Sequence, residues 1–194
     1  MKKILKRNFT RNIFGVTALI ILSTALLSCA STIAPPVMVQ PGTLRAGDTL
    51  PALIGPEILS LGGRLSESAN APTIAVDLSI LEHVGTVRYS VYDHYEQQVV
   101  EYEGVLLAKL FDQFAHFDAT SVTIQATDDY RQTISRADAE KWPILLALRA
   151  DGNLVDPSHR GPSMIVYPYD QYSELEPADY DPFWVWQIEL LTFS

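Results

Sequence analysis

The chain has 194 residues, 14 Lys and Arg against 23 Asp and Glu, a formal net charge of −9 and a single cysteine. One cysteine excludes a disulfide framework, a Cys-rich zinc site and an iron–sulfur cluster. Charge is placed unevenly: residues 1–28 hold Lys2, Lys3, Lys6, Arg7, Arg11 and no acid, so from Cys29 onward nine basic residues face 23 acidic ones, and the net −14 opposes binding to phosphate backbones.

Residues 1–12 are basic and polar, and the apolar run 13–27 that follows is short for a bilayer span; together they read as a secretory signal peptide over 1–28. Leu26-Leu27-Ser28-Cys29 matches the bacterial lipobox. Cleavage before Cys29 and lipidation of its sulfur are therefore expected, with the acyl chains as anchor. Lipidation consumes the only thiol. Ala30 stands where the inner-membrane retention signal would place Asp. The expected location is thus the cell envelope, facing the periplasm, with the outer membrane favoured. Residues 29–50 contain Pro35, Pro36, Pro41, Gly42 and Gly47 and read as the lipidated cysteine and an extended tether. The globular domain is expected over 51–194.

Short alternating or apolar runs bounded by turn residues predict strands at 73–77, 86–92, 99–102, 121–126, 145–149, 164–167 and 185–193. Leu106, Leu107, Leu110, Phe111 and Phe114 recur at helical spacing. Ser135 reads as the N-cap of a short helix over 136–140, and Asp77 as the cap of a third over 78–83. Asp151-Gly152-Asn153 reads as a hairpin turn. The predicted class is α+β, a compact, mostly-β domain with two or three short helices.

The succession YEGVLLAKLF (102–111), IQATDDY (124–130), ILLALRADG (144–152), HRGPSMIVYPYD (159–170) and WVWQIELL (184–191) resembles the oxidoreductase molybdopterin-binding domain, the core of the sulfite oxidase fold, over residues 55–194. The resemblance implies that fold and a pterin pocket. Catalytic members ligate molybdenum through a cysteine thiolate, but the corresponding region here, VRYSVYDHY (87–95), holds no sulfur. Hard oxygen donors are poor replacements for a soft thiolate, so molybdenum is not expected. Small exported cysteine-less versions of this domain look like pterin-binding sensors that pass ligand occupancy to membrane-bound cyclic-di-GMP enzymes. The resemblance thus implies a non-catalytic pterin-binding lipoprotein, its partner the periplasmic domain of a membrane signalling protein. Two readings compete with it: a molybdenum-dependent oxidoreductase with an atypical metal site, and a structural lipoprotein with a vestigial pocket.

A free pterin has no phosphate; its ring needs aromatic stacking, a carboxylate or carbonyl for its 2-amino and N3 hydrogens, and a donor for O4. Arg160 and Ser163 could donate to a ring carbonyl, or serve only a local turn. Tyr167 and Asp170 bracket a loop after a strand. Trp184 and Trp186 share a sheet face by period-2 geometry, as core or as ligand platform. Asp129 follows a strand as a turn former or a ligand acceptor. These seven residues form the expected ligand site. No pair of histidines has metal-ligand spacing. The acidic run 174–181 reads as a solvated loop, or as a docking surface for the partner.

Overall fold

The chain divides into units Met1–Thr32 and Ile33–Ser194. The computed structural model describes residues 36–66 and 71–194, all in the second unit. The predicted signal peptide and Cys29 lie outside the described residues.

Two sheets organise this unit. The six-stranded sheet runs in the order β1 (Val37–Gln40), β4 (Thr86–Asp93), β5 (Gln98–Leu106), β8 (Leu145–Ala150) and β10 (Met164–Val166), with β9 (Asn153–Leu154) also paired to β8. The five-stranded sheet runs β3 (Thr73–Asp77), β2 (Glu57–Gly63), β11 (Ile188–Phe193), β6 (Ser121–Ala126) and β7 (Arg131–Ser135). Among the described strands only β2 and β11 pair in parallel. The helices are α1 (Leu78–Val84), α2 (Leu107–Phe114), α3 (Arg136–Lys141) and the single turn α4 (Pro177–Tyr180).

The local chemistry explains each helix. Asp77 caps α1, its carboxylate accepting from the Ile80 amide at 2.9 Å, and Ser135 caps α3 by accepting from the Asp138 amide at 3.0 Å. In α2 Leu107, Leu110, Phe111 and Phe114 are buried at i, i+3, i+4 and i+7, and Phe111 meets Phe193 edge-on at 5.1 Å. The strand before α2 approaches β8 so closely at Gly104 that a Cβ there would lie 2.0 Å from the Leu146 carbonyl oxygen. Only glycine fits that contact in the YEGVLL stretch. Asp151 and Gly152 both have positive φ (49° and 78°), the requirement of a type I′ turn joining β8 to β9. Buried residues of both sheets and of α1–α3 form one hydrophobic core.

Three features differ from the sequence reading. Val37–Gln40, inside the expected tether, forms edge strand β1 against β4, and the Thr43 and Leu44 amides bond to the His83 carbonyl. Its apolar VMVQ run is enough to pair, although the flanking prolines and glycines resemble a linker. Strands β2, β7 and β9 went unrecognised: β2 ends in two glycines that resemble a turn, β7 buries only Ile134, and β9 is two exposed residues. The last strand starts at Ile188 instead of residue 185, because Gln187 takes φ 48° and its amide and carbonyl are spent on Arg160 and Thr127. Trp184 and Trp186 therefore lie in an irregular segment before β11, and the strand alternation that was to align them does not apply.

Candidate functional site

Alternation along β4 turns Asp93 inward, where its side chain has no solvent exposure. One carboxylate oxygen accepts from the Tyr95 and Glu96 amides at 2.8 and 2.9 Å and so fixes the β4–β5 turn. The other accepts from the Tyr102 hydroxyl at 2.5 Å and Arg160 Nη1 at 2.6 Å. Arg160, also buried, reaches Glu96 with Nη2 at 2.7 Å, and Glu96 meets His159 Nε2 at 3.1 Å. Burial alone would raise the Asp93 carboxyl; hydrogen bonds from Tyr102, the Glu96 amide and Arg160, together with the guanidinium charge, hold it below the usual aspartate range. The Tyr102 phenol is pushed up by burial and by the adjacent Asp93 carboxylate.

This knot supports one wall of a cleft of about 210 Å³ whose lining includes Tyr95, Asp128, Tyr130, Asp181, Trp184 and Trp186. Tyr95 and Trp186 meet edge to face at 4.8 Å, and Trp184 stacks on Tyr169 at 5.4 Å with 24° between planes. Arg160 Cζ lies 4.5 Å from the Trp186 ring centre and 5.6 Å from that of Tyr95. The roof is the 3₁₀ turn Asp181–Phe183, held from two sides: Tyr95 Oη donates to the Asp181 carbonyl at 3.2 Å and Tyr130 Oη to the Pro182 carbonyl at 2.9 Å.

Unsatisfied polarity gathers here. Eight buried side-chain polar atoms lack a hydrogen-bond partner among the described residues, and four of them belong to Tyr169, Asp181, Trp184 and Trp186, in or directly behind the cleft wall. Arg160 Nε and Ser163 Oγ are two more, in residues whose carbonyls accept from the Gln187 and Ile188 amides. Buried polar atoms are nearly always satisfied, so these are the atoms available to hydrogen-bond a group bound in the cleft. Burial, then the Asp181 carboxylate, push up the phenols of Tyr95 and Tyr169.

Of the seven residues expected from sequence, Trp184 and Trp186 line the cleft and Arg160 backs it. Ser163 is buried beneath, its carbonyl accepting from Ile188 at 3.4 Å. The other three lie elsewhere. Tyr167 is a core residue against Tyr169, Tyr180 and Phe183. Asp170 is exposed and accepts from the Tyr92 amide at 2.7 Å, fastening the Tyr169–Gln171 turn to β4. Asp129 occupies the β6–β7 turn with φ 69° and contacts Gln125 and Arg131. Its neighbours Asp128 and Tyr130 are the cleft residues. Sequence reasoning also missed Tyr95, Asp181 and the Asp93 knot. An acid one residue past the predicted strand 86–92, in phase with Val87, Tyr89 and Val91, was the available signal for Asp93; Asp181 had none, standing last in an acidic run.

The donor chemistry does not fit a thiolate-ligated molybdenum. The inward group of the 87–95 region is a carboxylate already bonded to Tyr102, Arg160 and two amides. Among the described residues no group of three His, Cys, Asp or Glu is placed to hold a metal ion.

No protein-family model matches the chain, and no curated protein matches it in sequence. Its fold is similar to the crystal structure of the sulfane dehydrogenase SoxCD from Paracoccus pantotrophus, with a TM-score of 0.52 and 14% identity over 71% of this chain and 38% of that one. The chain thus spans well under half of its neighbour, and the likeness concerns the fold alone. With its mostly-β composition and few short helices, the domain has an α+β, sulfite-oxidase-type fold.

Proposed function

We propose that the protein is a non-catalytic, pterin-binding lipoprotein of the bacterial cell envelope that reports ligand occupancy to a membrane-bound cyclic-di-GMP enzyme. The supporting observation is the pair of buried, unpartnered indole N–H groups of Trp184 and Trp186, beside the Tyr169 phenol and the Asp181 carboxylate, around an aromatic cleft. A 2-amino-4-oxo ring complements them: its amino and N3 hydrogens suit a carboxylate, its carbonyl suits an indole N–H, and its faces suit Tyr95 and the tryptophans. Signalling would follow from linkage. A ligand that binds one arrangement of the segment Tyr169–Asp181 more tightly shifts its population, and a partner that distinguishes the arrangements reads the shift. Lipidation at Cys29 would keep the domain within reach of that partner.

Calorimetric titration of residues 30–194 with fully reduced and fully oxidised pterin, under anaerobic conditions, tests the proposal. One saturable site at micromolar affinity or tighter is expected for at least one form. No heat with either form, in folded protein free of copurified ligand, would overturn it.

A further inference from the structure

The cleft has an electrostatic character that aromatic stacking alone does not require. Its lining contains two carboxylates, Asp128 and Asp181, and no Lys, Arg or His. The cation nearest its rings, Arg160, lies behind Trp186 and is bonded to Asp93 and Glu96, so this knot returns no positive charge to the cleft. Four aromatic side chains, Tyr95, Tyr130, Trp184 and Trp186, line the same space, and aromatic faces attract cations. One Asp181 oxygen is buried, and the donor beside it is the neutral Tyr169 phenol, which leaves the carboxylate charge uncompensated. The surrounding chain is acidic as well, which raises the local concentration of cations and lowers that of anions.

We infer that the cleft selects its ligand by charge: Asp128 and Asp181 favour a heteroaromatic bearing a positive charge and reject one bearing a carboxylate or phosphate. This rests on the reading of the cleft as a pterin site and narrows it to amine-bearing or protonated pterins. Asp128 and Asp181 both line a cleft of only about 210 Å³, so a charged ring bound there interacts with both carboxylates. Asp128 keeps a structural duty, accepting from the Tyr130 amide at 3.0 Å, and asparagine preserves that bond while removing the charge.

The test uses the full-length chain and three probes with one ring system: 6-aminomethylpterin (cationic), 6-hydroxymethylpterin (neutral) and 6-carboxypterin (anionic). Dissociation constants are read from quenching of pterin fluorescence. The cationic probe is expected to bind at least ~10-fold more tightly than the anionic one, with the neutral probe between them. In Asp128→Asn/Asp181→Asn the spread is expected to shrink to about 3-fold or less, whereas Asp179→Asn, on the exposed face of α4, leaves it unchanged. If the double variant does not fold, the single Asp128→Asn variant carries the test with a partial loss of spread. Equal affinities for the three probes, or a spread that survives the asparagines, would overturn charge selection and leave pterin binding standing. Failure of all three to bind would remove the pterin reading and this inference with it.

Discussion

Asp93 and Arg160 form a buried ion pair of 2.6 Å whose members also bind Tyr102, Glu96 and two backbone amides. Removing one member of such a pair leaves the other charge buried and uncompensated. Asp93→Ala is therefore expected to cost about 3–5 kcal/mol, measured by urea unfolding at neutral pH. The same residue predicts a pH dependence. Its carboxyl is held below the usual value of 3.8, so the folded state binds fewer protons than the unfolded state across that interval. The resulting stability is complete above the unfolded pKa and is lost as pH falls through the lowered folded value. Asp93→Asn should accordingly flatten the acid limb of the stability curve below about pH 4, and an unchanged limb would place its cause elsewhere.

At the scale of elements, α1 links β3 of one sheet to β4 of the other, and Asp77 organises its start with one oxygen on the Ile80 amide and the other on those of Ile54 and Gly55, at 2.7 and 2.9 Å. Asp77→Ala removes the cap and should lower stability by about 1–2 kcal/mol, with Asp77→Asn retaining part of it in thermal unfolding. That cap, the Ser135 cap and the spacing of α2 were legible because each is a local rule acting on neighbouring residues. The edge strand β1 and the polar strand β7 were not, since pairing across the sheet decides them. The cleft divides in the same way. Arg160, Trp184 and Trp186 stood in recognisable motifs, whereas Tyr95, Asp128 and Asp181 converge from separate loops. Neither composition nor spacing tells which acid of a turn lines a cleft; in the structure Asp128 does, and Asp129 turns to Gln125 and Arg131.

Across the whole domain, the cleft draws one wall from the β4–β5 loop of the six-stranded sheet and another from the β6–β7 turn of the five-stranded sheet, with the segment 181–187 lying against both. Tyr95 and Tyr130 each line the cleft and each donate a hydroxyl hydrogen bond to that segment, at Asp181 and Pro182. The two sheets therefore restrain one stretch of chain through two phenols that a bound ring would also touch. Both bonds are exposed, so each contributes at the low end of the usual range, about 0.5–1 kcal/mol. Losing both without altering the rings, in Tyr95→Phe/Tyr130→Phe, should raise amide exchange in residues 173–183 about 10-fold while β5 and β8 keep their protection. Hydrogen exchange read by mass spectrometry on the free protein checks this. Unchanged exchange would mean that the segment is held by Leu175, Trp184 and the core alone. Faster exchange that a saturating pterin reverses would identify this segment as the part of the fold able to carry occupancy outward, because binding would then supply the restraint that the phenols had lost.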